Sequence, residues 1–137
     1  MVLENSRGYI ELEQQRLYIA GLKDALNARP DIEKTLIGLT ETDCVLLLAH
    51  EPDTADINCQ FPISAQFSGH SHGGQVRIPF YGPIFPQKYA ERYVQGLNYV
   101  GENKIPLYVN KGIGTTQLPI RFCCRPEISV FYLQEYT

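Results

Sequence analysis

Six consecutive apolar residues, Cys44-Val45-Leu46-Leu47-Leu48-Ala49, offer water no polar position, so this segment must lie inside the fold. It is predicted to be a strand covered on both faces by other layers and ending at His50. Around it the sequence reads as short β-runs. Residues 9–13 and 16–20 are joined by polar residues and predict a hairpin within 1–22. Ile32, Leu36 and Ile37 share one broad face, predicting a short helix near 31–38. Asp53 stands where it can cap a second short helix over 54–59, and residues 65–68 predict a strand ending at Gly69-His70. Further strands are expected at 75–78, 93–97, 107–110 and 128–133, with a Pro-rich loop over 79–91 covering one edge. No repeat or flexible linker divides the chain. Residues 1–137 are therefore expected to form one unit of α+β class, mostly one β-sheet with one or two short helices.

Composition removes several function classes. Twelve basic residues scattered through a chain of net charge −3 leave no stripe to neutralise a nucleic-acid backbone, so no nucleic-acid partner is expected. No apolar run reaches 18 residues, and MVLENSRGYIELEQQ lacks the basic end and apolar core of a secretion signal. The expectation is a soluble chain, cytoplasmic or at the membrane periphery, that does not itself insert. Cys44, Cys59, Cys123 and Cys124 show no C-x-x-C spacing and are read as reduced, partly buried thiols.

All three histidines fall in two short motifs, Ala49-His50-Glu51-Pro52-Asp53 and Ser68-Gly69-His70-Ser71-His72-Gly73-Gly74-Gln75. In extended backbone, residues i and i+2 project to one side, so His70 and His72 would aim both rings into one pocket, with the glycines permitting tight turns. Imidazole nitrogen is the commonest metal donor. His50, His70 and His72 are accordingly the candidate metal ligands. Other His-x-His arrangements fail on their further ligands: a metallo-β-lactamase needs Asp and His where Gly74 and Gln75 stand, and a cupin needs Glu where Val76 and Arg77 stand.

A lone His at a strand end, an intervening helix and then Gly-His-x-His resembles the last two sequence blocks of the calcineurin-like metallophosphoesterases. The likeness continues through Gly-His-Ser-His-Gly-Gly-Gln at 69–75, Tyr-Val-Asn-Lys-Gly-Ile-Gly-Thr-Thr at 108–116, Leu-Pro-Ile-Arg-Phe at 118–122 and Arg-Pro-Glu-Ile at 125–128, as in a bacterial branch of that family. The resemblance implies the C-terminal portion of an αββα sandwich and a metal-dependent phosphoester hydrolase. His50 and His70 would ligate one of two divalent ions (Mn, Zn or Fe) and His72 the other, and a hydroxide held between them would attack phosphorus in line.

The family's first three blocks, Asp-x-His, Gly-Asp-x-x-Asp and Gly-Asn-His-Asp/Glu, have no counterpart here. Asp24, Glu51 and Asp53 are read as loop or cap residues, not replacement ligands, and no further catalytic residue is assigned. The isolated chain is thus expected to have little activity toward a phosphoester substrate. It should also expose an apolar sheet face to a partner, either the missing N-terminal half or a second copy. The competing reading is a truncated, non-catalytic metal-binding or interaction module. Arg121 and Arg125 are read as loop braces, Thr115-Thr116 as hydrogen-bonding near the site by family position, and Tyr81, Tyr89 and Tyr93 as packing.

Overall fold

The computed structural model describes residues 2–12 and 15–134. Strands β1 (Ser6–Leu12) and β2 (Gln15–Gly21) form the expected antiparallel hairpin, whose turn residues 13 and 14 lie outside the described residues. Helix α1 (Ile32–Leu36) is shorter than expected, and the Asp31 carboxylate caps it by accepting from the Lys34 amide at 3.0 Å. Strand β3 (Cys44–Leu48) leads through a 3₁₀ turn (Pro52–Thr54) into helix α2 (Ala55–Asn58), followed by β4 (Ala65–Ser68). Strands β5 (Arg77–Ile78) and β6 (Gly82–Pro83) make a small ladder, and β7 (Gly96–Val100) and β8 (Ile105–Val109) a second hairpin.

Six strands form one mixed sheet in the order β1-β2-β3-β4-β8-β7, which with the two short helices makes this an α+β fold, as expected. β2, β3, β4 and β8 run parallel, so their C-terminal ends share one rim.

Both helices cover the same face. Val45 and Leu47 are fully buried there with Ala20, Ile32, Leu36 and Ile63, while Leu107 and Val109 pack with Ala55, Tyr93 and Val100. Each such burial of a Leu, Ile or Val side chain stabilises by about 1.5–3 kcal/mol. Beneath the site lies a satisfied polar chain: Asn58 Nδ2 donates to Gln66 Oε1 at 2.9 Å, and Gln66 Nε2 donates to Ser68 Oγ at 3.0 Å.

The opposite face corrects the first expectation. Alternate residues of β3 point there, and Cys44 and Leu48 are exposed, the latter by 43%. The run has no polar residue, yet only one side of it is covered. Leu97 and Tyr99 extend this open apolar face along β7, and Phe131 stacks on it, edge to face with Phe67 (4.7 Å) and Tyr108 (4.9 Å).

Residues 128–133 form no strand, despite their alternating pattern; Phe131 packs on the sheet face instead. The 93–97 strand lies instead at Gly96–Val100, and 75–78 pairs over only two residues. The 79–91 loop lies across the strand tips and not along an edge, since Lys88 and Tyr89 meet His70 and Asp53. No helix among the described residues is long and apolar enough to cross a membrane.

The C-terminal segment is latched through Glu127. Its carboxylate receives hydrogen bonds from Tyr108 Oη and Ser129 Oγ and an ion pair from Lys111 at 2.9 Å. Burial acts to raise its pKa, but the bonds from Tyr108, Lys111 and Ser129 outweigh this and hold it below the usual glutamate value. A depressed folded-state pKa stabilises above the unfolded value, and that contribution is lost as pH falls through the folded one. The segment is therefore expected to detach on acidification below the ordinary glutamate range. Protection of the Glu127 amide, which donates to Gly112 O at 3.0 Å, should fall with it in hydrogen exchange. Glu127→Gln should remove that pH dependence; an identical acid profile in the variant would assign the latch elsewhere.

Candidate metal centre

His50 and His70 each stand two residues past the end of adjacent parallel strands, β3 and β4. The ladder continues beyond those strands: the Ala49 amide donates to Phe67 O and the Gly69 amide to His50 O, each at 3.1 Å. Neighbouring strands are spaced about 4.8 Å apart. The two rings consequently meet edge to face, with centroids 4.9 Å apart. Two nitrogens on one tetrahedral ion lie about 3.3 Å apart, and rings at this spacing suit such a pair. A cleft of about 430 Å³, lined by Leu3, Leu48, His50, Phe67 and Gly69, opens beside these tips.

The backbone from 70 to 75 is not extended. His70, His72 and Gln75 all adopt positive φ (60°, 48° and 48°), Ser71 is right-handed helical, and residues 72–74 form a 3₁₀ turn. Alternation therefore does not bring His70 and His72 to a common side. Left-handed conformations cost a non-glycine residue roughly 1–2 kcal/mol each, so the surroundings must impose them. They do so through the buried Ser71 hydroxyl, which accepts from the Gly73 amide at 3.0 Å, and through Arg77, which donates to Gly73 O at 3.0 Å.

Main-chain carbonyls orient both rings of this turn. His70 Nε2 lies 2.9 Å from Lys88 O, and His72 Nδ1 lies 3.3 Å from Gly114 O. A carbonyl only accepts, so the facing nitrogen carries the hydrogen in each case. The opposite nitrogens, Nδ1 of His70 and Nε2 of His72, face away from these carbonyls. The structure thus joins His50 to His70 and directs His72 toward a separate loop.

Of the three neighbouring carboxylates, Asp24 and Asp53 are engaged elsewhere, whereas Glu51 Oε1 is buried without a hydrogen-bond partner. Asp24 Oδ1 accepts from the Leu26 and Asn27 amides at 2.7 and 2.9 Å. Glu51 is only 1% exposed and accepts from the Ala25 amide at 3.0 Å. Asp53 does not cap α2, whose N-cap is Thr54; its carboxylate binds the amides of Glu91, Arg92 and Tyr93. Among the described residues no group of three or more His, Cys, Asp or Glu is placed to hold a metal ion.

Arg121 is the brace that its sequence context predicts. Its guanidinium donates to the carbonyls of His72 (3.1 Å), Lys111 (2.7 Å), Gly112 (3.2 Å) and Gly114 (2.6 Å). It thereby joins the His72 turn to the loop that supplies the Gly114 carbonyl. Gln75 makes a parallel link, donating to Thr116 O and Leu118 O and accepting from the Thr116 amide. Thr116 thus bonds beside the site through its main chain. Lys88 O and Gly114 O went unforeseen because any residue type supplies a carbonyl. The Gly-Gly-Gln run of 73–75 was the available sign that Gln75 mattered.

Known proteins resemble the chain over most of its length. The uncharacterized metallophosphoesterase YkuE of Bacillus subtilis strain 168 is 44% identical over 119 residues, which is 87% of this chain and 41% of YkuE. Phosphodiesterase YaeI of Escherichia coli K12 is 40% identical over 88 residues, 64% of this chain and 32% of YaeI. The UDP-2,3-diacylglucosamine pyrophosphatase LpxG of Chlamydia trachomatis is 34% identical over 118 residues, 80% of this chain and 35% of LpxG. No protein-family model and no solved structure matches. The sheet and these similarities define a metallophosphoesterase-type chain. Within that class it belongs with the bacterial YkuE and YaeI kind, as a C-terminal portion spanning about two fifths or less of the relatives' length.

Proposed function

We propose that this chain supplies the imidazole half of a two-metal phosphoester hydrolase and that acidic ligands come from polypeptide beyond the 137 residues. One observation carries the reading: His50 and His70 meet at 4.9 Å on neighbouring strand tips, while carbonyls orient the rings of His70 and His72. His50 and His70 would hold one ion and His72 the other. Divalent cations, Mn, Zn or Fe, when bound supply Lewis-acid activation of the phosphoester. The chain's own part is to hold three imidazole donors, two of them oriented by main-chain carbonyls, which lowers the ordering cost of binding. The substrate class is a phosphodiester or pyrophosphate, in keeping with the names of YaeI and LpxG.

The open sheet face supports the same division. Burying Leu48, Leu97, Tyr99 and their neighbours would stabilise by about 25 cal/mol per Å², and the portion of the relatives that this chain lacks is the proposed cover. With bis-p-nitrophenyl phosphate and Mn²⁺, the 137-residue chain should turn over at background rate. Adding the complementary portion of YkuE should raise the rate at least a hundredfold, and His70→Ala should abolish the gain. Robust hydrolysis by the chain alone would overturn the divided site. Zinc titration separates the alternative: one-to-one binding that depends on all three histidines, without the complement, would favour a non-catalytic metal-binding module.

A further inference from the structure

Two loops flank the histidines, and their side chains point away from the protein. Phe80, Tyr81 and Phe85 are exposed on the first, and Leu118, Ile120 and Phe122 on the second. Scattered exposed apolar residues are ordinary, but a contiguous patch marks an interaction surface. These loops are contiguous: Val76 bridges Phe122, and the Arg77 amide donates to Phe122 O at 3.0 Å. A cleft of about 210 Å³ between them is lined by Phe85, Leu118 and Ile120 and reaches Gly74 and Gln75, next to His72.

Charge is distributed just as unevenly. The chain has 15 acidic residues and a net charge of −3, yet residues 57–90 and 103–126 contain no Asp or Glu. Those stretches carry Arg77 of β5 and Lys88 of the first loop, and Arg121 and Arg125 of the second; carbonyls engage the Arg77 and Arg121 guanidinium groups, so the exposed cations of this set are Lys88 and Arg125, with Glu91 closing the first loop. We propose that the two loops form a docking surface for an anionic lipid bilayer, set beside the histidine turn. Exposed aromatic and aliphatic side chains beside the cations Lys88 and Arg125 suit the headgroup boundary of an anionic membrane. Shape favours a bilayer over a protein partner. Phe80 sits at a loop tip with 111% relative exposure, a projection that a soft interface accepts and a flat protein face does not. Docking here needs no spanning helix and stands independently of the metal reading.

The chain contains no tryptophan, so Phe80→Trp introduces a single reporter at the tip. Vesicles of phosphatidylcholine with about one third phosphatidylglycerol should blue-shift its emission and sediment the protein. Pure phosphatidylcholine, or high salt, should reduce the bound fraction at least fivefold. Phe80→Asp with Phe85→Asp should cause a similar loss with an unchanged circular dichroism spectrum, and Leu97→Asp with Tyr99→Asp on the open sheet face should leave binding intact. No association with anionic vesicles, binding indifferent to lipid charge, or binding lost only through the Leu97 and Tyr99 pair would each overturn the proposal. The first of these outcomes would assign the patch to a polypeptide partner.

Discussion

Alanine in place of Arg121 is expected to destabilise the chain by about 3 kcal/mol, roughly 10 °C in melting temperature for this size. The substitution leaves the carbonyls of His72, Lys111, Gly112 and Gly114 without their shared donor. Lysine should not restore the loss, because one ammonium cannot reach carbonyls arranged around a planar fork. Thermal unfolding by circular dichroism gives the stability. Ring nitrogen shifts in NMR report the tautomer of His72, which should lose its preference for hydrogen on Nδ1 when the Gly114 loop is released. A lysine variant as stable as the parent would show that charge alone, without the fork, explains the brace.

Alanine at Gly74 is expected to cost about 2–4 kcal/mol, combining a left-handed backbone penalty with overlap in a packed turn. Gly74 has φ +79°, and a Cβ there would land on the Pro83 ring. Gly114 is the matched control, because a Cβ at that position meets nothing within 4 Å and its φ is not in the left-handed region. Gly114→Ala should stay within about 0.5 kcal/mol of the parent. Equal effects at the two positions, read from denaturant midpoints, would show that the 72–74 turn is not held against Pro83.

Much of this architecture was legible because its signals are local. The hairpin, α1, β3 and β4 follow from short runs of apolar and β-branched residues, and the tips of β3 and β4 deliver the histidines where the motifs placed them. What failed to show depends on distant partners. Alternation at 128–133 reads as a strand, but Phe131 packs on the sheet face against Phe67 and Tyr108. Nothing in the residue types of His70, His72 or Gln75 announces positive φ, which the Ser71 contact supports from within the turn and Arg77 and Arg121 from outside it. Asp53 looks like a helix cap by position, but three amides from residues 91–93 converge on it in space. The one-sided covering of β3 was equally hidden, since an apolar strand reads alike whether its second layer belongs to the same polypeptide or to another.

The placement of the free cysteines makes occupancy of the two apolar surfaces chemically measurable. Cys44 is exposed on the uncovered side of the sheet, and Cys123 is exposed beside Phe80 and Tyr81, whereas Cys124 is buried. Alkylation rates at the first two thiols therefore act as separate covalent gauges. A complementary polypeptide seated on the sheet slows the reagent at Cys44, a lipid surface slows it at Cys123, and the silent Cys124 registers any loss of folding that would confuse them.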